Sequence, residues 1–146
     1  VINAVDREAM GVVVGVDESS GCESALAYAF EQANKGRQML RAVHAWQVSK
    51  HGICSDREEI ERSMTADRLE VWRPQYPEVT VVADVRHGHP VDVLVEASHG
   101  ADMLVVGARG DSHSGGELGS VSGGVLYRAS CPVVVVRCPK QGRDND

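Results

Sequence analysis

Apolar and polar positions along the chain follow two alternating periods. Short, nearly continuous β-branched runs are each followed by a longer segment whose apolar residues recur three and four apart. Gly11-Val12-Val13-Val14-Gly15-Val16-Asp17 is the first such run, and it stops at an acid before Glu18-Ser19-Ser20-Gly21. A run of this kind fits a strand covered on both faces, as in a parallel sheet. From Cys22 to Lys35, Ala25, Leu26, Ala29, Phe30 and Ala33 share one helical face, and Gly36 supplies a stop. The pattern then predicts a strand over Met39 to Trp46, a loop with His51-Gly52, and a helix from about Ser55 to Trp72. In that helix Ile60, Met64 and Leu69 are apolar among many charges. Ile60, Leu69 and Trp72 read as core, and Arg57, Glu58, Glu59, Glu61 and Arg62 as a solvated face. Pro74 and Pro77 end it.

The second half repeats the scheme. Val79 to Val85 reads as a strand, and Pro90 opens a helix with Val91, Leu94 and Val95 inward. Met103 to Val106 is a fourth strand, followed by a glycine-rich stretch from Gly107 to Gly119. Ser120 to Ala129 can form a last helix and Pro132 to Val136 a fifth strand. Strand-helix alternation throughout implies right-handed crossovers and an α/β fold, a parallel sheet with helices on both faces. A length of 146 residues, with no internal repeat, predicts a single domain with polar arms at 1–10 and 139–146.

Charge and composition narrow the function. Fifteen basic residues against 21 acidic ones give a formal charge of −6, which argues against a nucleic-acid binder. Only 4% of residues are aromatic, so stacking platforms for single strands are scarce too. The longest apolar runs, Val133 to Val136 and Met103 to Val106, fall far short of the roughly 20 residues of a membrane span. No secretory leader pattern opens the chain, so the expectation is a soluble cytoplasmic domain without membrane partners. Cys22, Cys54, Cys131 and Cys138 contain no Cys-x-x-Cys pair. Cys131 and Cys138 bracket one predicted strand, which holds them about 23 Å apart if extended, beyond disulfide reach. Reduced, mostly buried thiols are expected.

In open parallel sheets, ligands bind outside the carboxyl ends of the strands where the strand order reverses. Asp17 ends strand one, His44 and Ala45 end strand two, and Gly107 to Gly110 follow strand four. These converge in an order of 2-1-3-4-5 or its relative 3-2-1-4-5. Glycines there leave backbone N–H groups open to a phosphate, and Ser120, entering the last helix, adds a hydroxyl near a dipole that favours anions. The competing reading is a plain loop with Ser120 as helix cap. Asp17 can likewise take a ribose hydroxyl or an adenine amine, or cap the helix after it.

Other signatures fail. The first turn is not G-x-G-x-x-G, and no G-x-x-x-x-G-K-[ST] occurs. Strand three ends at Val85-Arg86-His87, without the Asp a receiver domain needs. His87, His89 and His113 read as surface or loop residues, since nothing completes a metal site. No activated nucleophile can be assembled. In either strand order the fifth strand is an edge, and pairing Val133 to Val136 with a second copy would cover its open backbone.

Taken together these features resemble the universal stress protein family. The likeness covers roughly Gly11 to Arg137 and rests on Val13-Val14-Gly15-Val16-Asp17-Glu18-Ser19, Val43-His44-Ala45 and Gly88-His89-Pro90. It continues through Ala101-Asp102-Met103-Leu104-Val105-Val106-Gly107-Ala108-Arg109-Gly110, Gly119-Ser120-Val121-Ser122 and Cys131-Pro132-Val133-Val134-Val135-Val136. Gly107, Gly110 and Gly119-Ser120 match the glycine pattern of the ATP-binding branch, with the loop one residue shorter.

The resemblance implies a five-stranded parallel open sheet of order 3-2-1-4-5 with an adenine nucleotide across its carboxyl edge. Asp17 would take the adenine or ribose side and the backbone at Ala45 the adenine edge. Val106, Gly107, Arg109 and Gly110 would line ribose and phosphates, and Gly119, Ser120 and Val121 would hold the phosphate tail. ATP, or AMP or ADP, is the implied ligand, with Mg²⁺ held through the phosphates only. The shortened loop and Gly123-Gly124, each costing the helix about 1 kcal/mol against Ala, make the phosphate end the weaker part of the site. The expected function is a homodimeric stress-response module that signals by its bound nucleotide. The alternatives are a slow ATPase using the same cleft and a nucleotide-free dimeric scaffold.

Overall fold

The computed structural model describes residues 11–16, 23–47, 56–108 and 120–137. The expectations at Asp17, Arg109, Gly110 and Gly119, the loop histidines His51 and His113, Cys22, Cys54 and Cys138, and both polar arms lie outside the described residues. Among the described residues there are five strands: β1 (Gly11–Gly15), β2 (Met39–Trp46), β3 (Val81–His87), β4 (Met103–Gly107) and β5 (Val133–Val136). Four α-helices alternate with them: α1 (Glu23–Gly36), α2 (Arg57–Glu70), α3 (Pro90–Ser98) and α4 (Ser120–Arg128). The sheet is parallel throughout in the order β3-β2-β1-β4-β5. This is the order the resemblance implied.

Strand alternation splits the core into two layers. Val12, Val14, Leu40, Ala42 and Val105 pack against α1, whose five predicted inward residues, Ala25 to Ala33, are all buried. Val13, Val43, Leu104 and Val106 pack against α3 and α4. Full burial of an aliphatic or aromatic side chain contributes about 1.5–3 kcal/mol, so these two layers account for the sheet's cohesion. Phe30 is the hub of the first. Trp72 and Tyr76 stack on it at centroid distances of 6.2 and 5.5 Å. Tyr28 packs against the same layer, so four of the chain's six aromatic rings serve packing there.

β3 differs from its apolar run, starting at Val81 and reaching His87. Its extent follows its partner: each residue from Leu40 to Trp46 of β2 pairs with one from Val81 to His87. As an edge strand it tolerates charge, and Arg86 Nε and Nη2 each donate to Asp84 at 3.0 Å.

α2 corrects the sequence reading. Leu69 is fully buried and Trp72 half-buried, but Ile60 and Met64 are 45% and 46% exposed. The buried positions are Glu61 and Thr65, at 3% and 2%. Ile60 is therefore not core, and Glu61 does not belong to a solvated face. The helix is rotated because Glu61 has a stronger claim inside than either hydrophobe. It bonds His44 and Arg57, while Thr65 Oγ1 donates to its carbonyl at 2.9 Å.

α3 begins as expected at Pro90, and His89 caps it by accepting the Val91 N–H on Nδ1. Val91, Val93, Leu94, Ala97 and Ser98 are buried, and Val95 packs at the margin. Ser98 Oγ donates to the Val95 carbonyl and accepts the Ser130 N–H, tying α3 to the entry of β5. Cys131 is a free, half-buried thiol whose pKa is raised by burial and by Asp102, which lowers its thiolate fraction.

The two glycines of α4 have different reasons. A Cβ at Gly124 would lie 3.0 Å from Val91 Cγ2, so the residue lets α3 and α4 approach closely. A Cβ at Gly123 would meet nothing within 4 Å. Gly123→Ala is therefore expected to raise stability by about 0.5–1 kcal/mol through backbone entropy. Gly124→Ala gains the same entropy but must displace Val91, and is expected to be no more stable than the parent. Urea denaturation of the two variants checks this, and an unchanged midpoint for Gly123→Ala would refute it.

Candidate functional site

The chain leaves β1 for β2 on one side and reaches β4 on the other only after β3, so the strand order reverses between β1 and β4. A cleft opens there at the carboxyl edge. Its floor is Gly15 and Val16 from the end of β1, Val43 and Ala45 from β2, and Val106 and Gly107 from β4. Pro90 and Leu94 of α3 and Val121 of α4 form the walls. The atom-free space is about 520 Å³, part of it open to solvent. Gly15 keeps the floor low, because a Cβ there would stand 3.1 Å from Leu94 Cδ1 and 3.5 Å from Val106 Cγ1.

The lining is apolar, which suits a flat ring, and polarity enters at the rim. α4 begins at Ser120, next to the lining residue Val121, so its positive dipole end stands at the cleft. Ser122, buried in the first turn, donates its hydroxyl to the Gly107 carbonyl at 3.1 Å. That bond docks the start of α4 on the end of β4. Ala108 N–H continues the ladder by donating to the Val136 carbonyl at 2.8 Å.

Behind the floor, on the opposite face of the sheet, lies a buried polar network. His44 Nδ1 is 2.8 Å from the Val16 carbonyl oxygen and Nε2 is 2.6 Å from Glu61 Oε1. Arg57 Nε donates to Glu61 Oε2 at 2.6 Å and its guanidinium lies 5.5 Å from the centre of the Trp46 ring. Trp46 meets His87 edge-on at 4.7 Å. Burial pushes the Glu61 carboxyl up, but hydrogen bonds from His44 and Arg57 and their charges outweigh it, so its pKa is lowered. Glu61 is thus a carboxylate, and its acceptor oxygens require N–H donors from both partners.

Four of the residues expected at the site, Ala45, Val106, Gly107 and Val121, come from three separate elements and line this one cleft. Ser120 opens the helix beside them. His44, ranked by its strand-end position, faces away from the cleft into the α1 and α2 layer. Gly15, Val16, Val43, Pro90, Leu94 and Ser122 were not anticipated. Strand parity was the available signal for two of them: Val43 shares a face with Ala45, and Gly15 shares one with Val13. Glu61 had no such signal, being one acid among several on α2. Among the described residues no cluster of His, Cys, Asp or Glu could hold a metal ion, and no helix is long and apolar enough to cross a membrane.

A parallel sheet of this order with a cleft at its switch point defines an open α/β domain built around a ligand crevice. Residues 10–137 match the universal stress protein family, and the chain belongs to that family. It is 39% identical over 139 residues to universal stress protein Rv2005c of Mycobacterium tuberculosis, covering 90% of this chain and 47% of the relative. The chain thus spans about half the length of the curated relatives it matches. A crystal structure of a universal stress protein in complex with cAMP superposes with a TM-score of 0.67 at 28% identity, covering 89% of this chain and 98% of the other. The universal stress protein from Archaeoglobus fulgidus in complex with dAMP superposes with a TM-score of 0.68 at 22% identity, covering 87% and 97%.

The lowered pKa of Glu61 makes stability depend on pH. Its contribution is present above the ordinary carboxyl value of 4.5 and is lost as pH falls through the lower folded value. Glu61→Gln leaves His44 and Arg57 poorly paired and is expected to cost about 3–5 kcal/mol at pH 7. The gap between parent and variant should narrow below about pH 4.5, as read by denaturant midpoints across pH. A gap that stays constant down to pH 3 would show that Glu61 is not ionised in the fold.

Proposed function

We propose that the chain binds an adenine nucleotide in the cleft at the β1–β4 switch point. The observation that carries this reading is the meeting of Ala45, Val106, Gly107 and Val121 on one apolar floor, with the start of α4 at its rim. The purine packs on the apolar floor at the ends of β1 and β2, with Asp17 beside the ribose. The phosphates run toward Arg109, Gly110, Gly119 and Ser120, where glycine backbone and helix dipole favour negative charge. Two solved structures of the family, named for their cAMP and dAMP complexes, support an adenine nucleotide as the ligand class. ATP, or AMP or ADP, is the ligand of that class, with any Mg²⁺ held through the phosphates, and the bound nucleotide acts as a signalling state.

The test is calorimetric titration of the chain with ATP, AMP and cAMP, repeated on Asp17→Ala, Gly119→Val and Ala45→Trp. Each substitution should weaken binding at least tenfold, about 1.4 kcal/mol. A parent that binds none of the three, or variants that all bind as the parent does, would falsify the site.

We further propose that two copies pair through β5. Among the described residues β5 is bonded only to β4, and Val133 to Val136 are all half-buried. Pairing with a twin across a two-fold axis would satisfy the outer backbone groups. Light scattering at tens of micromolar should give about twice the 15.7 kDa chain mass, and a strict monomer rejects the pairing.

A further inference from the structure

His44 stands on β2 between two floor residues of the cleft, Val43 and Ala45, yet alternation turns its ring to the other face of the sheet. It is buried there, and neither ring nitrogen is idle. One faces the Val16 carbonyl at 2.8 Å and the other Glu61 at 2.6 Å. A carbonyl oxygen only accepts, so Nδ1 must carry a proton and donate. Glu61 is in turn gripped by Arg57, so the ring is held from α2 in a fixed orientation.

What the ring holds is the point where β1 leaves the sheet. The ladder of β1 ends at Gly15, and the Val16 N–H still donates to the Val43 carbonyl at 2.8 Å. The Val16 side chain belongs to the α1-side core, leaving its main chain to border the cleft. With N–H bound to β2 backbone and C=O bound to a β2 side chain, Val16 is fixed at both ends.

We propose that His44 is a positioning residue of the nucleotide site: locked by Glu61 from behind the sheet, it aligns the Val16 carbonyl and so fixes the end of β1 at the edge of the cleft. This rests on the reading of the cleft as a nucleotide site. It gives the buried pair a function that packing alone does not. A buried ion pair such as Glu61 with Arg57 is commonly no more stabilising than hydrophobic residues of the same volume, whereas a directional N–H to one carbonyl cannot be supplied by a hydrophobe.

The two contacts of the ring can be separated. In His44→Asn the amide nitrogen falls where Nδ1 stands and retains a donor for Val16. In His44→Gln it falls near Nε2 and retains only the link to Glu61. Calorimetry with AMP on the full chain should show His44→Asn within about threefold of the parent and His44→Gln at least tenfold weaker, with similar drops in melting temperature. Equal affinities for the two variants overturn the proposal, because affinity would then follow stability or nothing at all. Should either variant not fold, ¹⁵N spectra of the parent's imidazole serve instead. The Nδ1 resonance should shift on saturation with AMP, and an unmoved Nδ1 overturns the proposal. A parent that binds no nucleotide removes the cleft reading itself. A parent that binds while both variants match it removes only the role of His44.

Discussion

β1 is hydrogen-bonded in parallel to β2 on one side and to β4 on the other, and the rest of the molecule follows from that double pairing. With right-handed crossovers, the connections that build outward from β1 to β3 place α1 and α2 on one face. The return to β4 and β5 places α3 and α4 on the other. The two helical layers therefore diverge at the carboxyl ends of β1 and β4, where the cleft opens. The cleft is a consequence of chain direction, and the lining side chains only shape it.

The two faces of the sheet then do different work at the same strand ends. Val43 and Ala45 of β2 face the cleft, while His44 between them faces α2. The cleft on one side and a buried charge network on the other thus share a wall one residue thick. The network involves His44, Glu61 and Arg57, and it borders a layer whose fully buried core is Val, Ala, Leu and Phe side chains. Removing one partner from such a set strands the others in a low dielectric. This is why α2 turns Glu61 inward and leaves Ile60 and Met64 in water, against the usual ranking of those side chains.

The opposite wall is shaped by small residues. Gly124 lets α4 lie close to Val91 of α3, and Gly15 lets Leu94 descend toward the sheet. Ser122 fastens the same helix start to Gly107. The glycines that weaken α4 as an isolated helix therefore include one that fixes where its N-terminus stands. Position near the sheet edge, more than helix rigidity, is what an anion at that terminus would sense.

Much of this was legible in the chain itself. Continuous valine runs, i, i+3, i+4 spacing in α1, and Pro90 before α3 set the element types, because local backbone preference and burial on both faces leave few alternatives. The same runs located Ala45, Gly107 and Val121 at strand and helix ends. Tertiary structure alone decided the rest. Which strand neighbours β1, how far β3 extends, and which face α2 buries each depend on a partner distant in sequence. Glu61 shows the reason most clearly: nothing in its own neighbourhood distinguishes it from Glu58 or Glu59, and only the folded sheet brings His44 within 2.6 Å of it.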